Sequence, residues 1–306
     1  MTTIFDAPGT NSPNPFSPLI QQAFHAGTPE AATFDELAAQ IVKQVTASPD
    51  PANAFWSLWD AFFVAITTSP PLPPTAQGEP FASPLSLLDA LRAHPPTTPP
   101  NVAAGSDAEL KLRTTYLDKT SNTIPWSNLP GFAAQWRDMH DILEAWRDWD
   151  GIRRGSGNAT DTATRTEVSH ERYDPAQCFL RFISFSVALL QQEHEQHRRR
   201  DGGGGAPLFS IWVFFSCKNV LERADSAAPP QPPERKGHCL SPEQVWALDV
   251  RVMATWVRGG AGVLWEADWE GELRRVYAAA LDEKTERWSR GGGLTRERGG
   301  CTTPCW

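Results

Sequence analysis

DPAQCFLRFISFSVALL, residues 174–190, decides how this chain folds. Asp174-Pro175 is a helix start, because an Asp side chain accepts from the first free amides and Pro fits the first helical position. Beyond it Phe179, Leu180, Phe182, Ile183, Phe185, Val187, Leu189 and Leu190 leave no polar face. A helix apolar all round is buried on every side, so the spacing predicts a central helix with other helices around it. After the loop 198–206, Pro207 opens a second such run, Leu208 to Phe215. That run alone has the length of a strand. Cys217 and Leu221, with Lys218, Asn219 and Glu222 between and after them, carry helical spacing onward, and the segment reads as helix. The two segments together are expected to form a buried antiparallel hairpin.

Arg181 falls inside the apolar run and needs a partner there, since an unpaired buried charge costs several kcal/mol. The hairpin loop centres near residue 202, which sets position 181 opposite about 223 and makes Glu222 the candidate. The expectation is an Arg181–Glu222 ion pair that fixes the hairpin register. The alternative is a pair that lines a cavity and orients a polar ligand.

Outward from this centre, every other periodic segment also reads as helix. Phe34, Leu37, Ala38, Ile41 and Val45 form one stripe behind a capping box, Thr33-x-x-Glu36. Asp50-Pro51 starts a helix with Phe55, Leu58, Trp59, Phe62 and Ile66 on one face, which must end before Pro70. Ser83-Pro84 starts a shorter one with Leu85, Leu88 and Leu91. Another is expected from Ser106 to Lys119, with Leu110, Tyr116 and Leu117 inward. Phe132, Trp136, Met139, Leu143 and Trp146 mark a helix of about 20 residues ending near Asp150-Gly151, where Gly takes the left-handed cap. Ser241-Pro242 opens a helix with Val245, Leu248, Val252 and Trp256, which Gly259-Gly260 is expected to interrupt. Residues 264–288 resume the pattern. No alternating pattern of useful length appears, so the predicted class is all-α: about eight or nine helices in an antiparallel array around the central hairpin.

The chain has 306 residues, of which 27 are Pro and 22 Gly. These concentrate in segments without apolar periodicity. Residues 1–29 are read as a disordered N-terminal segment and 30–288 as one helical domain. Flexible insertions are placed near 69–83, 94–107, 151–173, 198–206 and 226–240, and 289–306 reads as a flexible tail. With 36 acidic and 28 basic side chains the net charge is −8, which argues against nucleic acid or an anionic membrane surface as partner. No apolar run approaches the roughly 20 residues that span a bilayer, and no secretory leader is evident. Five irregularly spaced cysteines make no disulfide framework. The expected compartment is therefore reducing, cytoplasmic or nuclear.

Trp126-Ser127-Asn128-Leu129-Pro130-Gly131-Phe132 resembles the W-S-x-L-P-x-F signature of the fungal domain-of-unknown-function family 3632. Ile211-Trp212 leading to Val220-Leu221-Glu222, and Trp256-Val257-Arg258-Gly259-Gly260, resemble two further segments of it. The similarity spans residues 30–298. The opening Gln177-Cys178-Phe179 replaces an Asn-rich one, and Gly299–Trp306 does not continue the last motif, so the tail reads as divergent, truncated or mis-spliced. The resemblance implies a helical intracellular fungal protein and supplies no activity.

The spacings that known catalytic and metal-binding motifs require are not met. His194-Glu195-Gln196-His197 puts its histidines three apart, where a metalloprotease helix needs four. Cys301 and Cys305 lack the further ligands of a zinc site. No phosphate loop, dinucleotide fingerprint or nucleophile elbow is present. Asp138, His140, Asp141 and Glu144 oppose the apolar stripe of their helix and read as a solvated face. No catalytic residue, metal ligand or cofactor is therefore assigned. Of 13 Trp, Trp59, Trp136, Trp146, Trp212 and Trp256 are placed in the core. Trp56, Trp149 and Trp246 lie off the stripes and suit either an interface or a second packed face. The function expected is a non-catalytic interaction or scaffold protein with a protein partner. The alternative is an enzyme or small-molecule binder with a pocket between helices.

Overall fold

A computed structural model describes residues 14–24, 33–68, 81–99, 105–148, 174–199, 216–217, 220 and 240–266. Among the described residues the regular structure is helical, with a single isolated bridge, Thr97 to Ile124. The all-α class is thus observed. The helices are α1 (Ser17–Phe24), α2 (Phe34–Thr46), α3 (Pro51–Thr68), α4 (Ala82–Ala93), α5 (Asp107–Thr115), α6 (Phe132–Trp146), α7 (Pro175–Arg199) and α8 (Pro242–Glu266), with a 3-10 turn at Trp126–Asn128. Contacts divide the chain into two compact units, Met1–Ala261 and Gly262–Trp306. The packing below belongs to the first.

Local signals set several helix starts. Thr33 accepts from the Glu36 amide while the Glu36 carboxylate accepts from the Thr33 amide, so the capping box is complete. Asp50 accepts from the Asn53 amide at 3.0 Å, with Pro51 in the first helical position. Ser106 caps α5 by accepting from Glu109. Helix α4 differs from expectation: it starts behind Phe81, which offers no side-chain cap. The Phe81 ring packs edge-on against Phe185 of α7 at 5.6 Å, so a tertiary contact positions this start.

Helix α7 is buried over most of its surface through Cys178, Phe179, Leu180, Phe182, Ile183, Phe185, Val187, Leu189 and Leu190, but not on every side as expected: Gln177, Arg181, Ser184, Ala188 and Gln191 form a half-buried to exposed stripe. Helix α3 is likewise largely buried. Fifteen of its 18 residues are buried, well beyond the single stripe read from sequence, because α1, α2, α5, α6 and α7 all pack on it. Aromatic rings fill the space between α3, α6 and α7. Phe62 meets Trp59, Phe63, Phe132 and Phe185 edge-on, with centroids 5.5–6.1 Å apart. Edge-on pairs contribute about 0.5–1.5 kcal/mol each beyond their area burial.

Residues 1–29 were expected to be disordered throughout, yet α1 lies inside them. Phe16, Ile20 and Ala23 are buried, and Asn14 donates to the Ser57 carbonyl of α3 at 2.8 Å. Surrounding Pro, Ser and Asn obscured this short apolar stripe. Within the predicted insertion 94–107, Thr97 bridges Ile124 through two backbone bonds of 3.2 and 2.9 Å. Helix α5 stops at Thr115 rather than Lys119. The Asp118 carboxylate collects the amides of Thr120 and Ser121 and turns the chain back toward Thr97. Its inward residue is Leu112, while Leu110 is 64% exposed. The segments 151–173, 201–215 and 267–306 lie outside the described residues, as does most of the returning arm of the predicted hairpin, including Glu222.

The Trp126–Phe132 segment is an architectural corner. Trp126 is fully buried and donates to Thr97 Oγ1 at 2.9 Å. Trp59 of α3 donates to the Pro130 carbonyl at 2.7 Å. Leu129 and Gly131 take positive φ, 45° and 81°, to swing the chain from the 3-10 turn into α6. A Cβ on Gly131 would lie 2.9 Å from the Tyr116 ring. Gly131→Ala should therefore cost about 1–2 kcal/mol for the left-handed backbone alone, plus the displacement of Tyr116. Gly105 has φ 79° with open space around it, so Gly105→Ala isolates the backbone part. Urea unfolding should show the Gly131 variant as the less stable of the two. Equal losses would contradict the close approach to Tyr116.

Candidate functional site

The outer end of α6 holds the main cluster of titratable groups. Asp138, His140, Asp141 and Glu144 were expected on a solvated face, but His140 is 4% exposed. The reason is tertiary: α7 covers this side of the helix. The imidazole stacks on Trp136, with centroids 5.4 Å apart, and meets Phe179 of α7 edge-on at 5.7 Å. Trp136 is itself held by donating to Ser186 at 2.8 Å. Asp138 and Asp141 are exposed and Glu144 is half-buried, so the cluster is a fixed imidazole with carboxylates at the water boundary.

His140 Nδ1 faces the two nearer carboxylates, at 3.5 Å from Asp141 and 3.8 Å from Glu144. Burial lowers the pKa of His140, against the opposing pull of Glu144 and Asp141. Arg147 closes the cluster toward α8. It donates to the Glu144 carbonyl at 2.6 Å and pairs with Asp249 of α8 at 3.1 Å. Both side chains of that pair are 14% exposed, so it joins α6 to α8 with little screening.

The lowered His140 pKa has a pH consequence. Below the ordinary value of 6.5 the unfolded chain binds a proton that the folded chain still refuses. Stability therefore falls as pH drops from there toward the lower folded value, by at most about 1.4 kcal/mol per pH unit. Melting temperatures of chelator-treated protein should decline across this window, and His140→Gln should lack that part of the decline. Parallel curves for the two proteins would contradict the burial of a neutral imidazole.

A second polar cluster joins α4 to α7. Arg92 pairs with Glu193 at 2.6 Å, and Gln192 and Gln196 both donate to Asp89, at 2.7 and 2.9 Å. Its side chains bond one another, so it acts as a clasp. Beside it an open groove is lined by Thr33, Phe34 and Asp35 of the α2 start and by Ser86, Asp89 and Ala90 of α4. Of the residues proposed from sequence, Arg181 is half-buried and donates to the Thr67 carbonyl at the end of α3, at 3.3 Å. Glu222, its expected partner, lies outside the described residues. The His197 side chain also lies outside them.

Tryptophans divide sharply. Trp59, Trp126, Trp136 and Trp256 are fully buried, while Trp56, Trp146 and Trp246 are 50%, 41% and 45% exposed. Trp146 was expected in the core, but the stripe of α6 is buried only as far as Leu143. Trp246 lies one turn before Asp249 and Trp146 directly before Arg147, so exposed indoles flank the α6–α8 ion pair. Trp149 and Trp212 lie outside the described residues.

Among the described residues no helix is long and apolar enough to cross a membrane. Fold and clusters together define an all-helical protein built around two buried helices, α3 and α7. Residues 59–300 match the family model described as "Protein of unknown function (DUF3632)", and the chain belongs to that family. No curated protein and no solved structure matches it significantly.

Proposed function

We infer that this protein is a non-catalytic interaction protein that recognises a protein partner through its exposed tryptophans. The observation that carries this reading is the exposure of Trp56, Trp146 and Trp246 on ordered helices. An indole buries 150–250 Å² when covered, and Trp is enriched among the few interface residues that dominate binding energy. Trp146 and Trp246 flank an ion pair, so apolar anchors surround a polar centre. That arrangement suits a partner offering an apolar segment with a polar group between its anchors. The free thiols of Cys178 and Cys217 support a reducing setting, cytoplasmic or nuclear, and the family resemblance supports a fungal one.

Quantitative affinity capture tests this with the wild type, a Trp146→Ser/Trp246→Ser double variant and Trp56→Ser. Far-UV circular dichroism confirms that each stays folded. A partner held by the wild type and lost by at least one variant is the expected result. Identical capture by all three proteins would overturn the reading.

A further inference from the structure

We propose that His140, Asp141 and Glu144 form a binding site for a divalent transition-metal ion of the zinc class. The α6 pattern alone places these residues on a solvated face, opposite the apolar stripe. The structure brings one imidazole nitrogen and two carboxylate oxygens within 4.8 Å of one another.

The distances are longer than those of short charge-assisted hydrogen bonds and compatible with coordination. An N–H···O bond to a carboxylate is about 2.7–2.9 Å long, whereas His140 Nδ1 stands 3.5 and 3.8 Å from its two carboxylates. In a tetrahedral zinc site, metal–nitrogen and metal–oxygen bonds of about 2.0–2.2 Å put neighbouring ligand atoms roughly 3.4 Å apart. These two separations lie near that edge length, while the two carboxylate oxygens stand up to 4.8 Å apart and close onto the ion. An octahedral magnesium site would bring its ligands closer together.

The chemistry of the donors agrees. One imidazole with two carboxylates suits zinc, cobalt, manganese or ferrous iron, whereas calcium and magnesium prefer oxygen alone. A metal ion takes the neutral imidazole as ligand. Trp136, Phe179 and Phe182 hold the ring in place. The Asp141 and Glu144 side chains, 63% and 39% exposed, must draw together by roughly an ångström to meet on an ion, a shift that surface side chains make by small rotations. Arg147 lies 3.9 Å from Glu144 Oε1, and Asp249 offsets its charge. Asp141, Glu144 and Asp249 against Arg147 leave a net negative site. Three protein ligands leave the remaining positions to water or to an external ligand.

The experiment uses the full chain without a polyhistidine tag, titrated with Co²⁺ near neutral pH and followed by calorimetry and visible ligand-field absorption. One equivalent with a tetrahedral spectrum is expected, displaced by Zn²⁺ and indifferent to excess Mg²⁺. Losing a protein ligand should cost at least as much as losing an outer-shell partner, so His140→Gln should weaken binding by about 100-fold or more. Because His140 is buried and its variant can misfold, Asp141→Asn with Glu144→Gln provides a second test at exposed positions. That double variant should keep its circular dichroism and lose the cobalt spectrum. The same spectrum and affinity in wild type and double variant would place the metal elsewhere and overturn the proposal. Absence of Co²⁺ binding by the wild type would overturn it too.

Discussion

Trp59→Ala should destabilise the protein by about 3–5 kcal/mol, the range for removing a large aromatic ring from a core. Trp59 is fully buried on α3. It meets Phe62 and Phe132 edge-on at 6.1 and 5.1 Å, and its indole N–H donates to the Pro130 carbonyl at 2.7 Å. Alanine would empty the space between α3 and α6 and strip the Pro130 carbonyl of its donor. Since domains are stable by only about 5–15 kcal/mol, the variant should unfold at far lower urea. Trp59→Phe separates the two losses: it keeps most of the ring and forfeits the hydrogen bond, for about 1–3 kcal/mol. A loss below about 1 kcal/mol for Trp59→Ala would mean that this corner is not packed as described.

Gly259→Ala should be destabilising by about 2 kcal/mol, although alanine is the better helix former by about 1 kcal/mol. A Cβ at position 259 would lie 2.2 Å from Val187 Cγ1 of α7. Valine is stiff about χ1 and has little room to yield. The Gly259 carbonyl also accepts from Gln191 of α7 at 2.7 Å, so the helices cannot separate without losing that bond. Adding Val187→Ala should return most of the stability, because the new methyl fills the space the valine leaves. Gly259→Ala that stabilises, or a double variant whose losses simply add, would contradict the close crossing of α7 and α8.

That crossing also shows what a sequence reveals and what it conceals. Gly259-Gly260 read as a helix break, because glycine is poor in a helix interior. The structure runs α8 through both, since the glycine is needed where a second helix comes close. Signals written within a few residues were legible: the Thr33–Glu36 capping box, the Asp50-Pro51 start and the long apolar run of α7. Features decided by a distant neighbour were not. Phe81 starts α4 by packing on Phe185, and α1 forms because α3 lies beneath it. His140 leaves solvent because α7 covers it. Leu110 was expected inward, and packing against α3 buries Leu112 in its place. Of the candidate site, the residue types were visible in the α6 sequence. Their grouping around a buried imidazole was not, because α6 alone carries no sign of what lies against its polar side.

Native-state hydrogen exchange along α7 tests most directly whether that helix is the buried axis of the array. The amides of Phe182 to Leu190 lie in the interior of a helix with most of its side chains buried. They should exchange only through global unfolding, with protection that matches the unfolding free energy and falls in step with it as urea is added. Exchange of those amides through local opening, at rates like those of the exposed end of α5, would contradict a fold built around α7.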